Sequence, residues 1–213
     1  MSEEPTTDEL PLRERKKRAT RQRISDVATG LFAQRGFDEV TVAEVARAAE
    51  VSAMTVFNYF PRKEDLFLDR IPEAVDLFTA AVRRRPPGEP PLAALRALAL
   101  RLLDEHHPLG GVDDHFPHFW RVVIASPALR ARAREGVEEV ETALAEALAE
   151  ITPELPDPAL AAALTVAAYR SVYVTTARRL LAGEPAEAVA QDHRDRVGAA
   201  FDALEVVFGR PAR

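Results

Sequence analysis

The chain has 213 residues, of which 47% are hydrophobic and none is cysteine, and its formal net charge is −6. This length can bury the core of one or two domains, and the lack of cysteine excludes a disulfide scaffold and cysteine-based metal or redox chemistry. The longest apolar run, residues 159–169, is shorter than the roughly 20 residues that cross a bilayer, and the acidic first residues contradict a secretion signal, so we expect a soluble, cytoplasmic protein.

The charge is distributed unevenly along the sequence. Residues 1–12 carry four acidic side chains and two prolines, which predicts a flexible acidic tail. Residues 13–70 carry twelve Lys/Arg against nine Asp/Glu, and seven of those basic residues lie between Arg13 and Arg23. A local positive field of this kind is typical of a nucleic-acid-binding surface, although it also fits a solvated helix face.

A first helix is predicted from about Arg13 to Gln34, because apolar residues recur there at helical spacing. Its inward face consists of Ile24, Val27, Ala28, Leu31 and Phe32. Gly36 is placed to end the helix as a cap, since glycine adopts the left-handed conformation that helix ends often need. The basic residues of its first turns are predicted to point outward, where they can meet phosphate or reach the minor groove.

The stretch from Thr41 to Phe60 has the pattern of two short helices joined by a tight turn. Thr41 and Glu44 have the spacing of a capping box, and Ser52 is a second candidate N-cap. The inward face of the first helix consists of Val42, Val45, Ala46 and Ala49. The pattern predicts a helix-turn-helix, whose second helix can enter the DNA major groove.

The second helix defines a candidate reading face. If Val56, Phe57 and Phe60 point to the core at about 100° per residue, the opposite side presents Met54, Thr55 and Asn58, with Tyr59 on the flank. These side chains suit base recognition, because an asparagine can pair bidentately with adenine and a methionine can pack on a thymine methyl group. The alternative is a surface helix of an ordinary helical bundle.

Five segments carry a resemblance to a known family. Residues 21–32, 35–37, 41–49, 51–52 and 57–66 match in order the N-terminal three-helix DNA-binding domain of the TetR family of bacterial transcriptional regulators, which the chain therefore resembles. The sequence departs from the family pattern at Glu50, where a turn glycine is usual, and at Phe57 and Tyr59, where the family usually has tyrosine and histidine. Because glycine tolerates positive φ best, Glu50 is expected to add turn strain.

The resemblance implies an all-α protein with an N-terminal helix-turn-helix domain and a larger helical domain for ligand binding and dimerisation. It implies that Lys63 touches phosphate, and that two copies of the chain bind a palindromic operator in double-stranded DNA. The residues predicted to contact DNA are Thr41, Ser52, Met54, Thr55, Asn58, Tyr59 and Lys63. The predicted boundaries are 1–12 for the tail, 13–62 for the DNA-binding domain with its motif at 41–60, and 63–213 for the effector-binding and dimerisation domain.

The C-terminal part begins with a helix predicted to open at Lys63 and to kink or break at Pro72. Residues 83–91 combine three arginines, four prolines and a glycine, which predicts an exposed connection. A helix follows over residues 92–105, and a loop over residues 106–111. The inward face of the helix over residues 92–105 is predicted to consist of Leu95, Leu98, Leu102 and Leu103.

Four of the five histidines lie between His106 and His118, beside several aromatic residues. We interpret this region as the rim of a small-molecule pocket, in which aromatic rings form an apolar wall and His118 or Arg121 fixes a polar end. The residues predicted to line the pocket are Phe78, Phe116, His118, Phe119, Trp120, Arg121, Tyr169 and Tyr173. Core packing of the aromatic rings is the alternative, as is a metal site built from the histidines and Asp113.

The last helices are strongly apolar. Pro127 opens a helix that runs to about Ile151, and in residues 159–177 only Arg170 is charged. A helix that is apolar all round must be covered on both sides, so we expect homodimerisation through the last two helices, at about 159–182 and 186–208. The final helix has an inward stripe consisting of Val189, Val197, Ala200, Phe201, Leu204, Val207 and Phe208. Burial within one chain is the alternative.

Taken together, the sequence predicts a sequence-specific DNA-binding transcriptional regulator, a homodimeric repressor released from its operator by an unknown small molecule, with no cofactor and no membrane partner. Two other classes remain open at this point. One is a metal-dependent helical hydrolase that uses the cluster from His106 to His118, and the other is a non-specific architectural DNA-binding protein.

Overall fold

A computed structural model describes residues 11–113 and 116–208, and every regular element in those residues is helical. The helices are α1 (Leu12–Arg35), α2 (Val42–Ala48), α3 (Ala53–Tyr59), α4 (Ile71–Arg83), α5 (Pro91–Asp104), α6 (Phe116–Ala125), α7 (Pro127–Ile151), α8 (Pro158–Leu181) and α9 (Ala186–Phe208). The all-α prediction is confirmed. None of the helices in these residues has both the length and the apolar character that crossing a bilayer requires. The predicted acidic tail lies outside the described residues apart from Pro11 and Leu12.

The chain forms two compact units, and the first consists of the residues up to Asp69 together with Ser126–Arg132. Its core residues are Ile24, Ala28, Phe32, Phe37, Val40, Val45, Ala46, Ala49, Val56, Phe60, Leu66, Phe67 and Leu129. The ring of Phe32 lies 5.0 Å from that of Phe37 and 6.0 Å from that of Phe67. These side chains close the space between α1, α2 and α3, so the short helices are fixed by packing.

The start of α7 is bonded into this first unit. The hydroxyl of Ser126 donates to Asp38 Oδ1 at 2.9 Å, and Nε of Arg132 donates to Asp65 Oδ1 at 2.7 Å. Arg132 and Asp65 are mostly buried, so water screens the attraction between their charges less than it would at the surface. The first turns of α7 therefore belong structurally to the unit that contains α1 to α3.

The turn between α2 and α3 has the strain that its sequence predicts. Glu50 has a φ of 54°, which is the left-handed region that favours glycine. The turn closes through hydrogen bonds from Glu50 N to Arg47 O at 3.2 Å and from Val51 N to Ala46 O at 2.9 Å. A glutamate is thus held where a side chain with a Cβ atom is disfavoured.

The second unit consists of Arg70–Ala125 and of the residues from Ala133 onward. Its main core joins α4, α5, α7, α8 and α9, and includes Phe78, Val82, Leu95, Leu98, Leu102, Val140, Leu144, Leu148, Val166, Val172, Val197 and Phe201. Helix α4 approaches α7 closely at Gly136, because a Cβ atom there would lie 2.6 Å from Cδ1 of Ile71. The inward face predicted for the helix at 92–105 is confirmed, because Leu95, Leu98, Leu102 and Leu103 are all buried.

Four local predictions are wrong. The helix predicted to open at Lys63 is a 3-10 turn over Glu64–Leu66, and α4 begins at Ile71 with Pro72 in its first turn. Proline is favoured there, because the first turn has unpaired N–H groups anyway, so Pro72 starts a helix and kinks none. Phe57 is 45% exposed, and Val207, predicted for the inward stripe of the last helix, is 59% exposed.

We expect Glu50→Gly to stabilise the protein by roughly 0.5–1 kcal/mol, because removing the Cβ atom relieves the left-handed strain while glycine adds entropy to the unfolded chain. Urea unfolding at neutral pH measures the change. Glu50→Ala is the matched control, since it removes the charge and keeps the Cβ atom, and we expect no comparable gain. Equal stabilisation by both variants would show that the charge, and not the backbone, is the cause.

Candidate functional site

The first candidate site is built on α2 and its capping box. Thr41 Oγ1 accepts from Glu44 N at 3.2 Å, and a carboxylate oxygen of Glu44 accepts from Thr41 N at 2.8 Å. Nη1 of Arg35, the last residue of α1, donates to the other Glu44 oxygen at 2.8 Å. The Thr41 backbone N–H and then the Arg35 side chain lower the pKa of Glu44 to about 2. The start of α2 is therefore fixed to the end of α1.

Helix α3 begins at a second cap. Ser52 Oγ accepts from Thr55 N at 3.0 Å and lies 2.8 Å from Thr55 Oγ1. Val56 and Phe60 are buried, whereas Met54 is 69% exposed and Asn58 is also exposed. Thr55 and Tyr59 are half-buried. The side of α3 opposite the core thus presents Met54 and Asn58, as the sequence predicts, and the exposed ring of Phe57 adds an apolar group that the sequence reasoning placed inside.

Helix α1 of the same unit carries cationic side chains. The exposed ones on the first turns of α1 are Arg13, Arg15, Lys16, Lys17, Arg18 and Arg23. Arg21 is held differently, because its guanidinium lies 4.7 Å from the centroid of the Phe60 ring and donates to Asp69 O at 2.9 Å. Arg21 therefore packs the end of α3 onto α1, while the exposed cations give the start of α1 a positive surface that suits phosphate.

Lys63, predicted to touch phosphate, is half-buried beside the short 3-10 turn. Its ammonium lies 4.3 Å from the centroid of the Phe37 ring and donates to Asp38 O at 3.5 Å. This cation–π contact keeps the charge near the surface with its position defined. The phosphate contact itself stays a prediction.

A capped, exposed second helix, a partner helix fixed behind it and a basic first helix together define a helix-turn-helix DNA-binding protein. The comparisons agree with this class. Residues 24–69 match the family model described as bacterial regulatory proteins, tetR family. The HTH-type transcriptional regulator TcmR of Streptomyces glaucescens is 37% identical over 155 residues, which cover 68% of this chain and 67% of the relative. The chain belongs to the TetR family, and it is a DNA-binding transcriptional regulator.

Solved structures agree in fold. A TetR-family transcriptional regulator from Mesorhizobium loti has a TM-score of 0.59 at 21% identity, with 96% of this chain and 98% of that chain covered. FadR of Thermus thermophilus, a TetR-family transcriptional repressor solved in complex with lauroyl-CoA, has a TM-score of 0.53 at 24% identity, with 91% and 96% covered. At these identities the likeness concerns the fold alone.

The second unit holds a cluster of aromatic rings, which we call the aromatic cluster. Its members are Phe78, Phe116, Phe119, Trp120, Tyr169 and Tyr173. The rings form a chain in which Phe78 lies 5.9 Å from Tyr169, Tyr169 lies 6.2 Å from Tyr173, and Tyr173 lies 5.0 Å from Phe116. Six of the eight residues predicted to line a pocket are thus brought together. His118 and Arg121 are exposed, and their predicted role at its polar end stays a prediction.

In the described residues, apolar side chains pack around Phe116, Phe119, Trp120 and Tyr173; they include Leu103, Val112, Ala177, Leu180 and Val189. Tyr169 donates its hydroxyl proton to Leu109 O at 3.2 Å, and burial raises the pKa of both Tyr169 and Tyr173 well above the usual tyrosine value. Gly111 packs so closely on the Tyr173 ring that a Cβ atom would lie 2.6 Å from it. Two surface grooves lie away from these rings, and the larger, of about 670 Å³ between α4 and α7, is lined mainly by acidic residues.

The histidines do not form a metal site in the described residues, where no three His, Cys, Asp or Glu side chains are grouped to hold an ion. His107 Nδ1 accepts from Leu109 N at 3.2 Å, and its Nε2 lies 3.3 Å from a carboxylate oxygen of Glu73. His106 has a φ of 50° and is exposed. His115, part of the metal hypothesis, lies outside the described residues.

One polar pair in the second unit was missed by the sequence reasoning. His193 is 0% exposed, and its Nδ1 lies 2.8 Å from the hydroxyl of Thr176. The signal was present, because His193 stands four residues from both Val189 and Val197 and so falls on the inward stripe of the last helix. A histidine at such a position is buried together with the stripe.

We expect Asn58→Ala to reduce discrimination at one base pair of the bound DNA site, with a cost of about 1–3 kcal/mol for the preferred base. The exposure of Asn58 on α3 is the reason. Competition binding against single-base variants of a selected site measures it. Uniform weakening of all variants would contradict base recognition by Asn58.

We expect Lys63→Met to weaken binding to all DNA sites equally and to reduce the slope of log affinity against log salt by about 1, because one phosphate contact is lost. Methionine keeps the aliphatic packing on Phe37, so a general loss of folding is avoided. Titrations at several salt concentrations measure the slope. An unchanged slope would contradict the phosphate role.

Proposed function

We propose that the protein is a homodimeric repressor that binds a palindromic operator and is released from it by a small molecule. The observation that carries the proposal is the exposed outer face of α3, where Met54 and Asn58 stand free of the core on a helix fixed by Ser52. Thr41, Ser52, Thr55, Tyr59 and Lys63 complete the proposed DNA contacts. A regulator of this kind acts on the chromosome, so we infer a cytoplasmic location.

Dimerisation is supported by apolar residues that α8 and α9 leave exposed. They are Leu160 and Leu164 on α8, and Val206 and Val207 on α9. Leu160 and Leu164 lie one turn apart, so they share a face that a second copy of the chain can cover. A two-fold dimer would present two copies of α3 to half-sites separated by about one helical turn of DNA, which is what a palindrome requires.

Control by a ligand is supported by the aromatic cluster. Buried rings with neutral hydroxyl groups offer the apolar, weakly polar surroundings that small-molecule sites use. FadR of Thermus thermophilus was solved with lauroyl-CoA, which illustrates a ligand held by a protein of this fold. We propose that residues 63–213 bind the effector and form the dimer, and that a bound ligand favours the conformations in which the two copies of α3 no longer fit adjacent grooves.

Selection of bound sequences from random double-stranded DNA tests the DNA-binding part of the proposal. We expect a recovered palindrome whose affinity exceeds that of scrambled DNA by about 4–10 kcal/mol at matched salt. A selected pool that binds no better than random duplexes would instead identify a non-specific architectural DNA-binding protein. Locating the palindrome relative to promoters in the genome then separates repression from activation.

We expect Leu164→Glu to convert the dimer to a monomer and to abolish preference for the full palindrome, because a charge would be buried in the proposed interface. Sedimentation velocity and binding to full and half operators measure both effects. Ile124→Glu is the matched control, since Ile124 on α6 is 47% exposed and Leu164 is 37% exposed. A Leu164 variant that remains dimeric would place the interface elsewhere.

A further inference from the structure

The outer side of α3 is apolar although it is exposed. The helix consists of seven residues, Ala53–Tyr59, and none of them carries a charge. Met54 is 69% exposed, Phe57 is 45% exposed, and Ala53 is exposed as well. Single exposed apolar side chains are normal on a protein surface, whereas neighbouring ones mark a surface that contacts a partner.

The exposed side chains of α3 share one face. Met54 and Phe57 lie three residues apart, which places their Cβ atoms about 5–6 Å from each other on the helix surface. Asn58 is exposed four residues after Met54, so it lies on the same side. The hydroxyl of Thr55 lies 2.8 Å from Ser52 Oγ and is engaged in the N-cap. The outer face of α3 therefore combines two large apolar groups with one carboxamide.

The partner of this face follows from the class of protein. The chain belongs to a family of DNA-binding regulators, and the second helix of a helix-turn-helix enters the major groove with its first residues at the base edges. The exposed cations at the start of α1 supply positive charge for phosphates. Because α3 has no charge of its own, its outer face suits base edges better than phosphates.

The chemistry of the base edges limits what this face can recognise. The apolar group that bases present in the major groove is the C5-methyl group of thymine. The carboxamide of Asn58 has the donor and the acceptor that pair with adenine. The arginine or lysine that most often recognises guanine is missing from α3. The face is thus complementary to A·T pairs, which present adenine and a thymine methyl group together.

We propose that Phe57 is a specificity-determining residue, and that Phe57 and Met54 form an apolar surface that binds thymine methyl groups in each operator half-site. The inference rests on the proposed operator binding and defines which base pairs α3 selects. Successive base pairs are about 3.4 Å apart, so side chains whose Cβ atoms are about 5–6 Å apart reach methyl groups one or two steps from each other. Phenylalanine has no hydroxyl to donate to a phosphate, which leaves its ring for apolar contact.

Deoxyuridine tests the proposal, because it keeps the base pairing of thymidine and lacks only the C5-methyl group. A duplex selected from random DNA by the full chain is synthesised with each thymine replaced in turn, at equivalent positions of both half-sites. Fluorescence anisotropy at constant salt measures the affinities. We expect uracil to weaken binding by roughly fourfold for each methyl group that Met54 or Phe57 contacts, which is the effect of burying one such group.

The variants Phe57→Ala and Met54→Ala assign the methyl groups to side chains. Each is expected to weaken binding to the thymine duplex several-fold and to abolish the difference between thymine and uracil at its own position only. Both side chains are exposed, so the buried residues of α3 are unchanged, and circular dichroism checks the fold. Ile124→Ala is the matched control, because Ile124 is 47% exposed and lies on α6 in the second unit, and it should change neither value.

A selected site that is bound equally with thymine or uracil at every position would overturn the proposal and leave the regulator intact. The proposal also fails if uracil weakens binding while both alanine variants keep the full effect, since another side chain would then contact the methyl groups. If the protein selects no site from random DNA, the proposed operator binding itself fails, and recognition of thymine fails with it.

Discussion

A helix of seven residues is not stable alone, since nucleation costs more than so few hydrogen bonds return, and both α2 and α3 have this length. Their geometry depends on the caps at Thr41 and Ser52 and on burial of Val45, Val56 and neighbouring side chains against α1. The same constraint makes DNA recognition possible. A short helix fixed on one side by the core leaves its other side free to enter a groove.

The second unit is built from longer helices, and its apolar surface is larger than one chain covers. Helices α8 and α9 each bury one side in the core and leave apolar residues on another, so one chain does not cover all of its own apolar surface. Beside that core, the aromatic cluster packs on apolar side chains, and the indole nitrogen of Trp120 is buried there without a hydrogen-bond partner in the described residues. A buried donor of this kind can be satisfied by a water molecule or by a ligand.

Much of this could be predicted from the sequence because the signals are local. Capping spacings located α2 and α3, the Glu50 departure located the strained turn, and apolar periodicity gave the inward residues of the long helices. The predictions of where a helix starts and which of its side chains are buried were wrong where they depended on a single residue. Pro72 is compatible with either a kink or a first turn, and Phe57 lies at the margin of a narrow buried face. The contact of Thr176 with His193 joins two helices, and no single-helix pattern contains it.

The segment Ser126–Arg132 has a practical consequence for engineering. Because Ser126 and Arg132 bond to Asp38 and Asp65, the DNA-binding half is assembled from two separate stretches of chain and is not a continuous module. A truncation after residue 69 would expose apolar side chains to water and would remove the Arg132 guanidinium that bonds to the Asp65 carboxylate. A chimera that joins this DNA-binding unit to the C-terminal domain of another protein therefore has to include the first residues of α7 as well.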